Sequence, residues 1–254
     1  MPLASVRRWC NGLLFTIATT MNSVPDKAQE AFIRFRGVSK SYIEGETSAA
    51  RRVLHEADFS MQRGEIVVVV GRSGSGKSTL LNLLSGIDAA DAGTISVAGR
   101  DIGTLPERER TLFRREHIGF VFQFFNLLPM LTVEENVLLP LELNRRAAAN
   151  DRQTALELLA EVGLADRAGA FPDRLSGGEQ QRVAIVRALA HNPALILADE
   201  PTGNLDAETG TQVLNLLDRL VRRTGKTMVM ATHSQDVIGL ADRVVTVREG
   251  KIVE

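Results

Sequence analysis

The sequence predicts an α/β fold around a mostly parallel sheet, and three observations carry that prediction. Continuous apolar runs at Ile66–Val70, Ala194–Ala198 and Thr227–Ala231 read as strands buried on both faces. Segments with helical spacing alternate with them, as right-handed crossovers require. A glycine-rich loop joins the first run to its helix, at the edge where such sheets bind ligands. The composition is that of an ordinary globular protein: 254 residues, 44% hydrophobic, with 30 Lys+Arg against 31 Asp+Glu and a net charge of −1. Near-neutral charge leaves no basic footprint for nucleic acid. One cysteine, Cys10, excludes an intrachain disulfide and a multi-thiolate metal site, and fits a reducing, cytosolic compartment.

Residues 1–28 are read as an extension outside the fold, and 29–254 as the folded domain. Arg7 and Arg8 precede a short apolar run through Ala18, too short for a membrane span. A dispensable extension or misassigned start, with Met21 as the true first residue, is preferred over a weak membrane anchor or an export signal. Phe32–Arg36 alternates apolar and basic side chains like a half-exposed strand. Ile66–Val70 is the first buried strand, Lys77–Ser85 its helix, and Ile118–Phe122 another strand. From about 124 to 190 the pattern turns helical, with helices at Val133–Leu143, Thr154–Val162 and Glu179–Ala190. This block reads as an insertion between strands of the sheet. Two further buried strands flank a helix around Gln212–Val221, and Arg243–Val247 is the last strand.

The loop Gly71-Arg72-Ser73-Gly74-Ser75-Gly76-Lys77-Ser78, followed by Thr79, matches the pattern G-x-x-x-x-G-K-[ST]. Its glycines let successive N–H groups converge on phosphate oxygens, and the helix beginning at Lys77 adds its positive end. Lys77 can reach the β- and γ-phosphates, and the Ser78 hydroxyl can ligate Mg²⁺. A chance match arises in roughly one chain in a hundred of this length. The strand before and helix after it reduce that further, so the loop reads as a nucleotide site.

The strand Ala194–Ala198 ends in Asp199 and Glu200. Carboxylates there face the ligand crevice, so Asp199 is placed to hold Mg²⁺ and Glu200 to act as general base toward water attacking the γ-phosphate. A solvated Asp-Glu turn before Pro201 is the alternative when the pair is taken alone. The phosphate loop upstream favours the site.

Leu175-Ser176-Gly177-Gly178-Glu179-Gln180-Gln181-Arg182 precedes this strand and resembles the signature motif of the ATP-binding-cassette ATPases. By itself Ser-Gly-Gly before a helix is equally a plain N-cap; it is also a second anion site with free N–H groups. The resemblance covers roughly Ala31–Val253. It implies a P-loop NTPase fold: a RecA-like, mostly parallel core, an antiparallel β subdomain and an inserted helical subdomain. It also implies that Tyr42 stacks on adenine, that Gln123 senses Mg²⁺ and the attacking water, and that Gly203-Asn204-Leu205-Asp206 links the protomers. His233 corresponds to the switch histidine on the γ-phosphate. In the family the signature, here Ser176, Gly177, Gly178 and Glu179, completes the ATP site of the other protomer. One loop and one signature per chain therefore imply a homodimer enclosing two MgATP. Ser234 stands where most relatives have aspartate, and Arg72 where a smaller residue is usual.

Gly119-Phe120-Val121-Phe122-Gln123-Phe124-Phe125-Asn126-Leu127-Leu128-Pro129 and Leu131-Thr132-Val133-Glu134-Glu135-Asn136-Val137 resemble the lipoprotein-release and macrolide-export branch. That resemblance implies partner membrane subunits, docking near Phe124–Leu131, and a place on the cytoplasmic face of the inner membrane. The alternative within the family is an FtsE-like ATPase relaying a signal in cell division.

Overall fold

The structure is a computed structural model that describes residues 31–44, 49–145, 148–233 and 235–254. The readings made for residues 1–28 and for Ser234 lie outside the described residues. Ala31–Glu254 forms one compact unit.

Two sheets organise it. Strands β1 (Ile33–Glu44), β2 (Ala49–Met61), β4 (Ala92–Val97) and β5 (Arg100–Asp101) form an antiparallel sheet in the order β2-β1-β4-β5. Strands β3 (Ile66–Val70), β6 (Ile118–Phe122), β7 (Leu195–Asp199), β8 (Thr227–Ala231), β9 (Arg243–Arg248) and β10 (Lys251–Val253) form the second, ordered β10-β9-β3-β8-β7-β6. Only β10 runs antiparallel to its neighbour there. Helices α1 (Lys77–Ser85), α2 (Glu107–His117), α3 (Val133–Leu143), α4 (Ala149–Glu161), α5 (Gly177–Ala190) and α6 (Ala207–Arg223) complete the fold.

The period of two explains why the central strands are apolar throughout. Ile66 and Val68 of β3 enter one core with α3, α5 and α6, while Val67 and Val69 enter the other with α1 and the antiparallel sheet. Ile196 and Ala198 divide from Leu195 and Leu197 in the same way. Each buried valine, leucine or isoleucine among them stabilises the fold by roughly 1.5–3 kcal/mol, so the sheet edge that carries the site is anchored on both sides.

The first strand continues well past Arg36, because register shifts between Phe35 and Ser41 interrupt its alternation. Helix α2 escapes a periodicity reading for the opposite reason: Phe113 is its one buried residue. The helix expected at Thr154 begins at Ala149. Helix α3 starts in a capping box, with Thr132 Oγ1 accepting from Glu135 N–H and the Glu135 carboxylate accepting from Thr132 N–H.

Candidate nucleotide site

Strand β3 delivers the chain into the loop Gly71–Gly76, which opens directly into α1. At Gly76 φ is 110°, and a Cβ would meet Val53 Cγ1 at 2.7 Å, so only glycine lets the loop close against β2. Lys77 Nζ donates to the carbonyls of Gly71 (2.9 Å) and Arg72 (3.3 Å) and lies 3.9 Å from Glu200 Oε1. Arg51 of β2 donates to the Gly74 carbonyl at 3.0 Å, joining the antiparallel sheet to the loop. Arg72 and Ser73 are exposed, whereas Ser75 Oγ is buried without a hydrogen-bond partner. Tyr42, Arg51, Val53, Lys77, Ser78 and Thr79 line a cavity of about 260 Å³ beside the loop.

The acidic pair sits beside it. Burial and the neighbouring Glu200 charge push the Asp199 carboxyl up from its ordinary pKa, against a hydrogen bond from Ser78 and the Lys77 charge. Asp199 Oδ1 is also buried without a partner. A divalent cation between Ser78 and Asp199 would satisfy that oxygen and favour the ionised carboxylate, so these residues fit Mg²⁺. Glu200 turns out of β7 in the left-handed region, with φ at 45°. That turn sends its carboxylate to His233: Oε2 lies 2.9 Å from Nδ1 and accepts from the His233 N–H at 3.2 Å. Gln123, at the end of β6, donates to Asn204 Oδ1 at 3.1 Å. A Cβ on Gly203 would meet Gln123 Nε2 at 2.8 Å, so glycine at 203 admits that side chain.

The structure thus brings Lys77, Ser78, Asp199, Glu200 and His233 together, with Gln123 on the adjoining loop. Among the described residues no hydrogen bond or ion pair joins Ser176–Glu179 to Gly71–Thr79. Ser176 is the N-cap of α5, its Oγ accepting from Glu179 N–H while Glu179 Oε2 accepts from Ser176 N–H at 2.8 Å. Asp206 likewise caps α6 through Thr209 N–H at 2.9 Å. The N–H groups of Gly177 and Gly178 stand in the first turn of α5, the end of a helix that favours an anion; Gly177 is partly exposed and Gly178 is buried.

Two residues of α5 make contacts that the sequence does not announce. Gln181 is fully buried and donates to the carbonyls of Phe122 (3.3 Å) and Pro201 (2.5 Å), tying both carboxyl-end loops to one helix. Arg187 donates to the carbonyls of Phe125 (2.8 Å) and Asn126 (2.6 Å), whose φ angles of 60° and 51° are both left-handed. Burial draws the guanidinium pKa down. We expect Arg187→Met to orphan those carbonyls and cost about 2 kcal/mol in urea denaturation; an unchanged midpoint would show that the turn holds itself.

Fold and site together define a nucleotide-binding P-loop protein with helices inserted before its acidic strand. Comparison with known proteins agrees. The sequence model of the ABC transporter family matches residues 54–203. An uncharacterized ABC transporter ATP-binding protein of Mycobacterium tuberculosis is 52% identical over 225 residues, 89% of this chain and 90% of that one. The lipoprotein-releasing system ATP-binding protein LolD of a Ruegeria species is 44% identical, over 89% of this chain and 99% of its own. A solved ATP-binding cassette, dimeric and bound to ADP and Pi after hydrolysis, superposes with a TM-score of 0.78 at 40% identity, covering 87% of this chain and 97% of that one. The chain belongs to the ABC transporter family, as an ATP-binding, ATP-hydrolysing cassette.

Proposed function

We propose that the chain drives partner membrane subunits by closing as a homodimer around two MgATP and reopening after hydrolysis. The observation that carries this reading is that the chain holds one phosphate loop, Gly71–Thr79, and one signature segment, Ser176–Glu179, with no hydrogen bond or ion pair between them among the described residues. Each half-site lacks a partner that a second copy supplies by two-fold symmetry. The solved cassette with the same fold is itself dimeric. In the assembly Tyr42 stacks on the base, and the N–H groups of the Gly71–Ser78 loop and Thr79 hold the phosphates. Lys77 exchanges its two loop carbonyls for phosphate oxygens. Ser78, Asp199 and Gln123 hold the Mg²⁺, which when bound draws charge off the phosphates. Glu200, steadied by His233, accepts the proton of the attacking water. Ser176, Gly177, Gly178 and Glu179 of the opposite copy close the site, and Asp206 lies on the linking loop.

ATP turnover per chain should therefore fall as the protein is diluted below its ATP-dependent dimerisation constant. The check is a phosphate-release assay paired with light scattering. Constant specific activity at every concentration, with monomers throughout, would sink the composite site.

For the partner, a groove of about 630 Å³ between the sheet and α3 is lined by Ile87, Phe120, Phe122, Leu139, Pro140 and Leu143. Ile87 and Leu143 are exposed there; of the 124–131 segment Asn126 lines the groove, while Phe124, Phe125, Leu127, Leu128 and Leu131 do not. An apolar groove of that size favours a membrane subunit's docking segment. No described helix is long and apolar enough to cross a membrane. We place the chain at the cytoplasmic face of the inner membrane, held there by its partner. The LolD relative supports lipoprotein release or export of lipid, peptide or drug over FtsE-like signalling.

A further inference from the structure

Tyr42 lies at the end of an antiparallel strand, more than a third exposed, where a free aromatic side chain would sample several rotamers. Here it is held. Its hydroxyl donates to Asp88 Oδ2 at 2.7 Å, and Thr79 is a second hydrogen-bond partner of the phenol. Asp88 Oδ1 accepts from Lys40 Nζ, also at 2.7 Å, and Lys40 donates to the Ala89 carbonyl at 2.8 Å. The Lys40 ammonium sits over the Tyr42 ring, 5.1 Å from its centre, and Tyr42 also lines the cavity beside the phosphate loop. Ser41 N–H donates to Asp91 Oδ2 at 2.7 Å, fixing the strand itself to the turn after α1. Desolvation raises the Asp88 carboxyl, but hydrogen bonds from Lys40, Tyr42 and the Ala89 N–H outweigh it and hold its pKa below the ordinary value. The carboxylate stays ionised, and its bonds to both neighbours are charge-assisted.

We propose that Asp88, braced by Lys40, is a positioning residue for nucleobase recognition: it locks the ring of Tyr42 before the base arrives. This rests on Tyr42 as the base platform. The cost of ordering the side chain is met in the free protein, so more of the stacking energy appears as affinity. The effect should fall on the base end of the nucleotide, because among the described residues the Asp88 carboxylate bonds to Lys40, Tyr42 and the Ala89 N–H and to no group of Gly71–Thr79.

The test compares Mg²⁺-dependent affinities for ATP and for inorganic tripolyphosphate, which has no base. Asp88→Ala should weaken ATP about fivefold to tenfold, an appreciable part of what a base–aromatic stack supplies, and tripolyphosphate less than twofold. The loss should appear in KM more than kcat, and Asp88→Asn, which still accepts from the phenol, should recover part of it. Tyr42→Phe removes the hydroxyl that Asp88 holds, so adding Asp88→Ala to it should cost nothing more. Equal losses for ATP and tripolyphosphate, or losses that multiply in the double variant, would overturn the positioning role. Should Asp88→Ala unfold, Asp88→Asn carries the same comparison. Tyr42→Ala separates the two levels. If it leaves ATP affinity intact, the base platform fails and this proposal with it; if it weakens ATP while Asp88→Ala does not, only the positioning role falls.

Discussion

Glu200→Gln should lower steady-state ATP hydrolysis by a factor of 10² to 10⁴ while leaving ATP binding intact. The substitution preserves shape, so the left-handed turn at residue 200 and the contact with the His233 N–H persist. What disappears is the basicity: a neutral amide oxygen still accepts a hydrogen bond but does not take a proton from water. The variant also removes a negative charge 3.9 Å from Lys77, beside the phosphates, so ATP should bind as tightly or more tightly. Binding without turnover leaves the closed state with no exit. The variant should therefore accumulate as an ATP-loaded dimer on size exclusion where the parent chain cycles back to monomer. Turnover within a few-fold of the parent would remove Glu200 as the base and leave it a structural partner of His233.

How much of this was readable in the sequence depends on how far apart the interacting residues lie. The phosphate loop, Asp199 and Glu200 are legible because each directly follows a buried strand, and local order alone puts them at one sheet edge. The switch at Glu200 is only half legible: the residue type suggests a base, but nothing in the sequence announces the positive φ that turns it toward His233. Gln181 reads only as one residue of the signature motif and Arg187 as one position of the helix that follows it. Their partners are carbonyls 59, 20, 61 and 62 residues away, and a carbonyl carries no residue signature. Asp88 is hidden likewise, 48 residues from Lys40 and 46 from Tyr42. Strand β2 and helix α2 escape because the first pairs through irregular register and the second buries a single side chain. Tertiary contact decides such elements, and periodicity cannot report it.

Lys77→Ala should abolish measurable ATP binding, with an affinity loss on the order of 10²-fold or more. Two considerations set that magnitude. A hydrogen bond to a charged group contributes about 1.5–3 kcal/mol, and a lysine reaching two phosphates makes at least one bond to each. The ammonium also needs little reorganisation to do so, because it is already held within the loop, on the carbonyls of Gly71 and Arg72. Those same bonds predict a second effect. Alanine leaves two loop carbonyls without their donor, so the nucleotide-free variant should melt lower than the parent, by a few degrees for a cost of about 1 kcal/mol in a domain this size. The two effects separate in one experiment. Calorimetric titration with ATP reads the phosphate contact, and a thermal melt without nucleotide reads the loop contact. A variant that binds ATP normally yet melts lower would mean that Lys77 serves the loop and not the phosphates. Loss of binding with an unchanged melt would mean that the carbonyl contacts contribute nothing to folding, and that the side chain is held near the loop for the nucleotide alone.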